Sequence, residues 1–107
     1  MISLPIPRHR QIGVEILVRG IVQGVGFRPF IYNLACRFGI SGTVANTGDG
    51  VVIRAMARSD ELASFVDALG HQPPPLARIV SIEQRPLTAP LPAGRFTILE
   101  RTAGSAI

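Results

Sequence analysis

Gly20-Ile21-Val22-Gln23-Gly24-Val25-Gly26-Phe27-Arg28 separates two segments of different hydrophobic period. Before it, Ile12, Val14, Ile16 and Val18 alternate with Gly13, Glu15, Leu17 and Arg19, and a period of two gives a strand over 12–19 with one buried face. After it, Phe27, Phe30, Ile31, Leu34, Ala35 and Phe38 recur at helical spacing and form one apolar stripe. Three glycines among the seven residues from Gly20 to Gly26 admit backbone angles that other residues avoid, so the stretch is a shaped loop between strand and helix. Pro29 fits in the first turn of that helix, where its missing N–H costs nothing, and Gly39 is the stop.

The same reading continues along the chain. Strands are expected over 43–46 and 51–57, joined by the hairpin residues Thr47-Gly48-Asp49-Gly50. Ser59 is the expected N-cap of a second helix, with Asp60 and Glu61 at its positive end, Leu62, Phe65, Val66 and Leu69 as its buried stripe and Gly70 as its stop. Pro73-Pro74-Pro75 is a stiff connector. A fourth strand follows over 78–85, with Val80 and Ile82 on one face, then a proline-rich loop over 86–94 and a short fifth strand over 95–100 carrying Phe96 and Ile98. The order β-α-β-β-α-β plus one strand, with right-handed crossovers, predicts an α+β fold, the ferredoxin-like split β-α-β sandwich. Two helices would cover one face of a four- to five-stranded antiparallel sheet, with strand three between strands one and two. The expected organisation is a flexible leader over 1–10, one domain over 11–101 and the start of a linker over 102–107.

Composition narrows the class of function. A chain of 107 residues is one domain, and 47% apolar with 17% charged residues excludes a disordered chain. No stretch approaches the ~18 apolar residues of a membrane span, so no membrane partner is expected. The start, Met1 to Arg10, lacks the apolar run of a signal peptide, which predicts a cytoplasmic protein. One cysteine, Cys36, allows no internal disulfide, and the isolated His9 and His71 make no metal site, so no metal is expected in this domain. All eleven basic residues are arginine and the net charge is +4. Guanidinium forks favour phosphate or carboxylate partners, although a habit of genome composition gives the same count. The charge is too small and too scattered for nucleic acid, and the middle strands lack the aromatic residues that RNA recognition on this topology requires.

Two places can carry chemistry. The first is the loop itself. With glycines allowing the curvature, the backbone N–H groups of Val22, Gln23, Gly24, Val25, Gly26 and Phe27 can turn inward as an anion nest at a helix start, and Arg28 can reach back and grip two phosphate oxygens. A structural turn followed by a surface arginine is the alternative. The second is Asn46, at a strand end beside the hairpin: it is either a turn former or a side chain that holds a water in line with a bound phosphorus or carbonyl. Asp49 reads as a turn residue, and no general base is evident near either place. Arg19, Arg54, Arg58 and Arg85 read as solvated, Cys36 as unreactive, and Phe27 and Phe30 as core.

The residues from Gly20 to Arg28 resemble the acylphosphatase signature, and Gly42-Thr43-Val44-Ala45-Asn46-Thr47-Gly48-Asp49-Gly50-Val51 resembles that family's second motif, in the family's order and at a similar spacing. The resemblance implies that the loop and Arg28 hold the phosphate of an acyl phosphate, with inorganic phosphate or sulfate as mimics, while Asn46 positions the attacking water. Pro29-Phe30, Pro74-Pro75-Leu76-Ala77-Arg78-Ile79 and Phe96-Thr97-Ile98 are similar to the acylphosphatase-like amino-terminal domain of the carbamoyltransferase that matures nickel–iron hydrogenases. That narrower resemblance implies carbamoyl phosphate as substrate. It also implies ATP and zinc in modules absent from this chain, none being required in this domain, and a hydrogenase maturation protein as partner. A free-standing acylphosphatase acting on small acyl phosphates is the alternative.

Overall fold

The computed structural model describes residues 11–87 and 94–101; the expected leader 1–10, the linker 102–107 and most of the proline-rich loop lie outside them. The elements are β1 (Gln11–Ile21), α1 (Phe27–Phe38), β2 (Ser41–Asn46), β3 (Gly50–Arg58), α2 (Ser59–His71), β4 (Arg78–Pro86) and β5 (Phe96–Arg101). The sheet order is β4-β1-β3-β2-β5, so β3 stands between β1 and β2 as the split β-α-β pattern requires. Ile16, Val18, Val44, Val51, Ile53 and Ala55 of the sheet form one buried cluster with Phe27, Ile31 and Leu34 of α1 and Leu62, Phe65 and Leu69 of α2. Alternation in the strands and the helical stripes thus meet in a single core.

β5 departs from the expected antiparallel sheet. β1 pairs antiparallel with β3 and β4, and β2 with β3, but β5 runs parallel to β2 and makes the sheet mixed. The reason is topological. β4 ends at the end of the sheet where β2 begins, and β4 and β5 occupy opposite edges. A chain returning at that same end must run opposite to β4, which is the direction of β2. Gly42 N–H donating to the Arg95 carbonyl at 2.9 Å and Gly94 N–H donating to Ser41 Oγ at 2.9 Å fix that entry.

β4 also differs from its expected pattern. The ladder with β1 slips between Arg19 and Gly20: Ser81 opposes Arg19 and Ile79 opposes Gly20, which leaves Val80 without a partner. This bulge breaks the two-residue period. Ile79 and Ile82 pack against the core, and Val80, expected to share a face with Ile82, is 80% exposed.

The ends of α1 follow the sequence, with Gly26 as N-cap at φ 80° and Gly39 as a left-handed stop at φ 71° whose N–H bonds the Ala35 carbonyl. The start of α2 moves by one residue and its stop by two. Arg58, still extended, is the N-cap in place of Ser59, and its N–H donates to Glu61 Oε1 at 3.2 Å. Gly70 does not stop α2, which runs on through His71, expected in the following loop, until Pro73 prevents its continuation.

β1, β2 and β5 all end, and β3 and β4 begin, at the same end of the sheet. The loop before α1 and the β2–β3 hairpin therefore share one end of the molecule.

Candidate active site

Loop residues 22–28 are anchored by side chains and open along the backbone. Val22 and Phe27 are each 1% exposed and Val25 packs against the core, so what these residues offer a ligand is their N–H groups. Gly24 and Gly26 lie at φ 75° and 80°, and a Cβ built on either would meet nothing within 4 Å. They are glycines because of the left-handed backbone, with no neighbour demanding it. Among the described residues no backbone carbonyl accepts from the N–H groups of Gln23, Gly24, Val25, Gly26, Phe27 or Arg28. Consecutive unpaired donors of alternating handedness, running into the N-terminus of a twelve-residue helix, make an anion-binding concavity.

Arg28 is half-buried on the first turn of α1. Its Nη1 donates to the Leu99 carbonyl of β5 at 2.9 Å, and among the described residues it meets no carboxylate. Its charge is therefore unpaired among the described residues, and the rest of its fork remains available. Leu99 sits where the β2–β5 register slips, Val44 opposing Ile98 and Asn46 opposing Arg101. Arg28 and Asn46 thus approach the same β2–β5 seam.

Asn46 opposes Val51, which in turn opposes Val18, so it lies on the helix-covered side of the sheet. Asn46 Oδ1 and the neighbouring Thr47 Oγ1 are both buried without a hydrogen-bond partner. Buried polar atoms are nearly always paired, so two adjacent orphans mark a place where a further donor belongs. Gln23 connects the two halves of the site: its Nε2 donates to the Thr47 carbonyl at 2.8 Å and to the Gly50 carbonyl at 2.7 Å.

Sequence patterns did not expose Thr47, the side-chain role of Gln23, or the Leu99 carbonyl. A polar Gln23 between Val22 and Val25 was a usable signal; a main-chain acceptor such as that of Leu99 leaves none.

The remaining candidates separate from this site. Asp49 is bound to Arg19 at 3.1 Å, and Arg19 also reaches Glu83 at 3.0 Å. The Arg19 guanidinium is held above its usual pKa chiefly by its hydrogen bond and charge attraction with Glu83, with Asp49 adding to both. Arg54 and Arg85 share Glu15, at 3.0 and 3.7 Å, and Arg58 pairs with Asp60 and Glu61 at 3.4 and 3.3 Å, so the arginines expected on solvated faces are also ion-paired there. Cys36 is exposed. A groove of about 970 Å³ between α1 and β5 is lined by Tyr32, Cys36, Ile40, Phe96 and Ile98 but by none of the residues 22–28 or Asn46. Arg95 is the one charged side chain lining it among the described residues, so size alone does not make it the site. No helix among the described residues is long and apolar enough to cross a membrane.

Comparisons with known proteins show the family to which this fold belongs. The acylphosphatase family model matches residues 14–98. Carbamoyltransferase HypF2 of Cupriavidus necator is 43% identical over 101 residues, which is 94% of this chain and 12% of that protein. The acylphosphatase of Mannheimia succiniciproducens is 39% identical over 85 residues, 78% of this chain and 93% of that one. Among solved structures, full-length HypF in its phosphate- and nucleotide-bound form superposes with a TM-score of 0.82 at 30% identity, covering 87% of this chain and 12% of that one. The acylphosphatase of Bacillus subtilis gives 0.76 at 34% identity, over 82% and 98% of the two chains. The chain spans about an eighth of the length of the HypF proteins it matches. It belongs to the acylphosphatase family, as a domain of the kind that HypF carbamoyltransferases carry.

Proposed function

We propose that this domain binds an acyl phosphate, with the N–H groups of residues 22–28 and the Arg28 guanidinium on the phosphate and Asn46 on the attacking water. In a HypF-type protein the substrate is carbamoyl phosphate. The observation that carries the reading is the run of loop N–H donors that, among the described residues, have no backbone acceptors, beside an arginine that meets no carboxylate there. Donors aimed at the phosphoryl oxygens neutralise the charge that repels a nucleophile. Asn46 Oδ1 accepts one hydrogen of a water and so directs its lone pair at phosphorus. The new P–O bond forms as the bond to the acyl carboxylate breaks, and that carboxylate leaves with the electron pair. It needs no proton on leaving, and the proton of the water passes to a phosphate oxygen, which accords with Asp49 being occupied by Arg19. The domain needs no cofactor for this step. The ATP, zinc and maturation partner of the whole carbamoyltransferase belong to other segments of a longer, cytoplasmic protein.

Coverage of 93% of the Mannheimia acylphosphatase favours a second reading, a hydrolase that works on its own. Turnover separates the two. Asn46→Ala leaves phosphate affinity near that of the wild type and slows acyl phosphate cleavage roughly a hundredfold, by analogy with the loss of one positioned donor. Full activity in that variant refutes the water-holding role. Under the first reading this chain alone cleaves carbamoyl phosphate slowly compared with a dedicated acylphosphatase; equal rates favour the second.

A further inference from the structure

Gln23 is the only residue with a hydrogen-bonding side chain among 22–27. It places both hydrogens of Nε2 on main-chain carbonyls of the β2–β3 turn, Thr47 at 2.8 Å and Gly50 at 2.7 Å. Because both partners are acceptors, the orientation of its amide is fixed: nitrogen toward the turn, oxygen away. The Gly50 carbonyl also accepts from Thr47 N–H at 2.9 Å, so Gln23 closes onto the hydrogen bond that defines the turn. Thr47 directly follows Asn46, and its carbonyl orients the peptide leading into the turn. One side chain therefore ties the loop that would hold phosphorus to the residue next to the one that would hold water.

We infer that Gln23 is a positioning residue that fixes Asn46 relative to the phosphate loop, so that water and phosphorus meet in line. The inference rests on the roles given above to the loop and to Asn46. It predicts a division of labour. The loop N–H groups and Arg28 supply phosphate affinity, and Gln23 supplies the alignment that is needed only for the reaction.

Two variants test it. Gln23→Met keeps length and shape and removes both donors. Gln23→Glu keeps the shape and turns an acceptor toward two carbonyls. For each, kcat and KM are measured on acetyl phosphate, Kd on inorganic phosphate, and Tm by thermal melting. Gln23→Met should lower kcat roughly tenfold or more while Kd for phosphate stays within about twofold. Gln23→Glu should be slower still at neutral pH. It should regain activity relative to the wild type as the pH falls through the titration of the introduced carboxyl, because the protonated form donates one hydrogen bond. Three results overturn the inference alone: an unchanged kcat in Gln23→Met, phosphate affinity falling in step with kcat, or a lowered Tm with kcat and KM intact, the mark of a structural brace. A wild-type chain that neither binds phosphate nor cleaves acetyl phosphate overturns the proposed function, and this inference with it.

Discussion

Replacing Arg28 by lysine keeps the charge and removes the fork. In the structure one arm of the guanidinium, Nη1, is 2.9 Å from the Leu99 carbonyl, which holds the plane in place and leaves the remaining N–H groups for a ligand. An ammonium is a single donor centre and cannot serve the carbonyl and two phosphate oxygens in one plane. At least one hydrogen bond between charged partners is lost, which is about 1.5–3 kcal/mol. That corresponds to a rise in Kd for phosphate of roughly one to two orders of magnitude. Arg28→Ala removes the charge as well and should abolish measurable binding. Stability falls as well, since the bond to the Leu99 carbonyl has a charged donor and contributes up to about 1.5–3 kcal/mol, each kcal/mol being a Tm shift of roughly 4–8 °C for a domain of this size. Calorimetric titration with inorganic phosphate at low ionic strength, with melting curves to verify folding, measures both. A folded Arg28→Lys variant that binds phosphate within about twofold of the wild type would refute the bidentate grip.

Two further outcomes follow from the backbone. Gly26→Ala meets no neighbour within 4 Å but must hold φ 80°, so it should cost about 1–2 kcal/mol in urea unfolding and weaken phosphate binding; no change in either would mean that the left-handed turn is not required. Val80→Thr should leave stability within about 0.5 kcal/mol while Ile82→Ala costs about 1 kcal/mol or more, and equal costs would contradict the bulge.

The fold was legible where pattern and packing coincide. Ile16 and Val18 of β1 and Ile31, Leu34 and Phe65 of the helices occupy the core that their period assigns them, and Gly39 ends α1 as glycine should. Legibility failed where long-range pairing decides. The bulge at Val80 is set by the approach of β4 to Gly20, and the parallel direction of β5 by which edge the chain returns to; neither leaves a local mark. Helix ends were misplaced where a strand hands directly to a helix at Arg58, and where proline instead of glycine stops α2. At the site, the loop, Arg28 and Asn46 were visible as residue types at a spacing. That Arg28 rests on a β5 carbonyl and that Gln23 grips the hairpin depends on contacts between residues 71 and 24 positions apart, which no periodicity encodes.

The central claim is that the loop before α1 is a phosphate site, and a crystal of this chain soaked in phosphate tests it most directly. The account predicts a tetrahedral anion over Gly24 and Gly26, bonded by N–H groups of residues 22–28 and by the Arg28 guanidinium, and facing Asn46. An empty loop with Arg28 turned to solvent would contradict it.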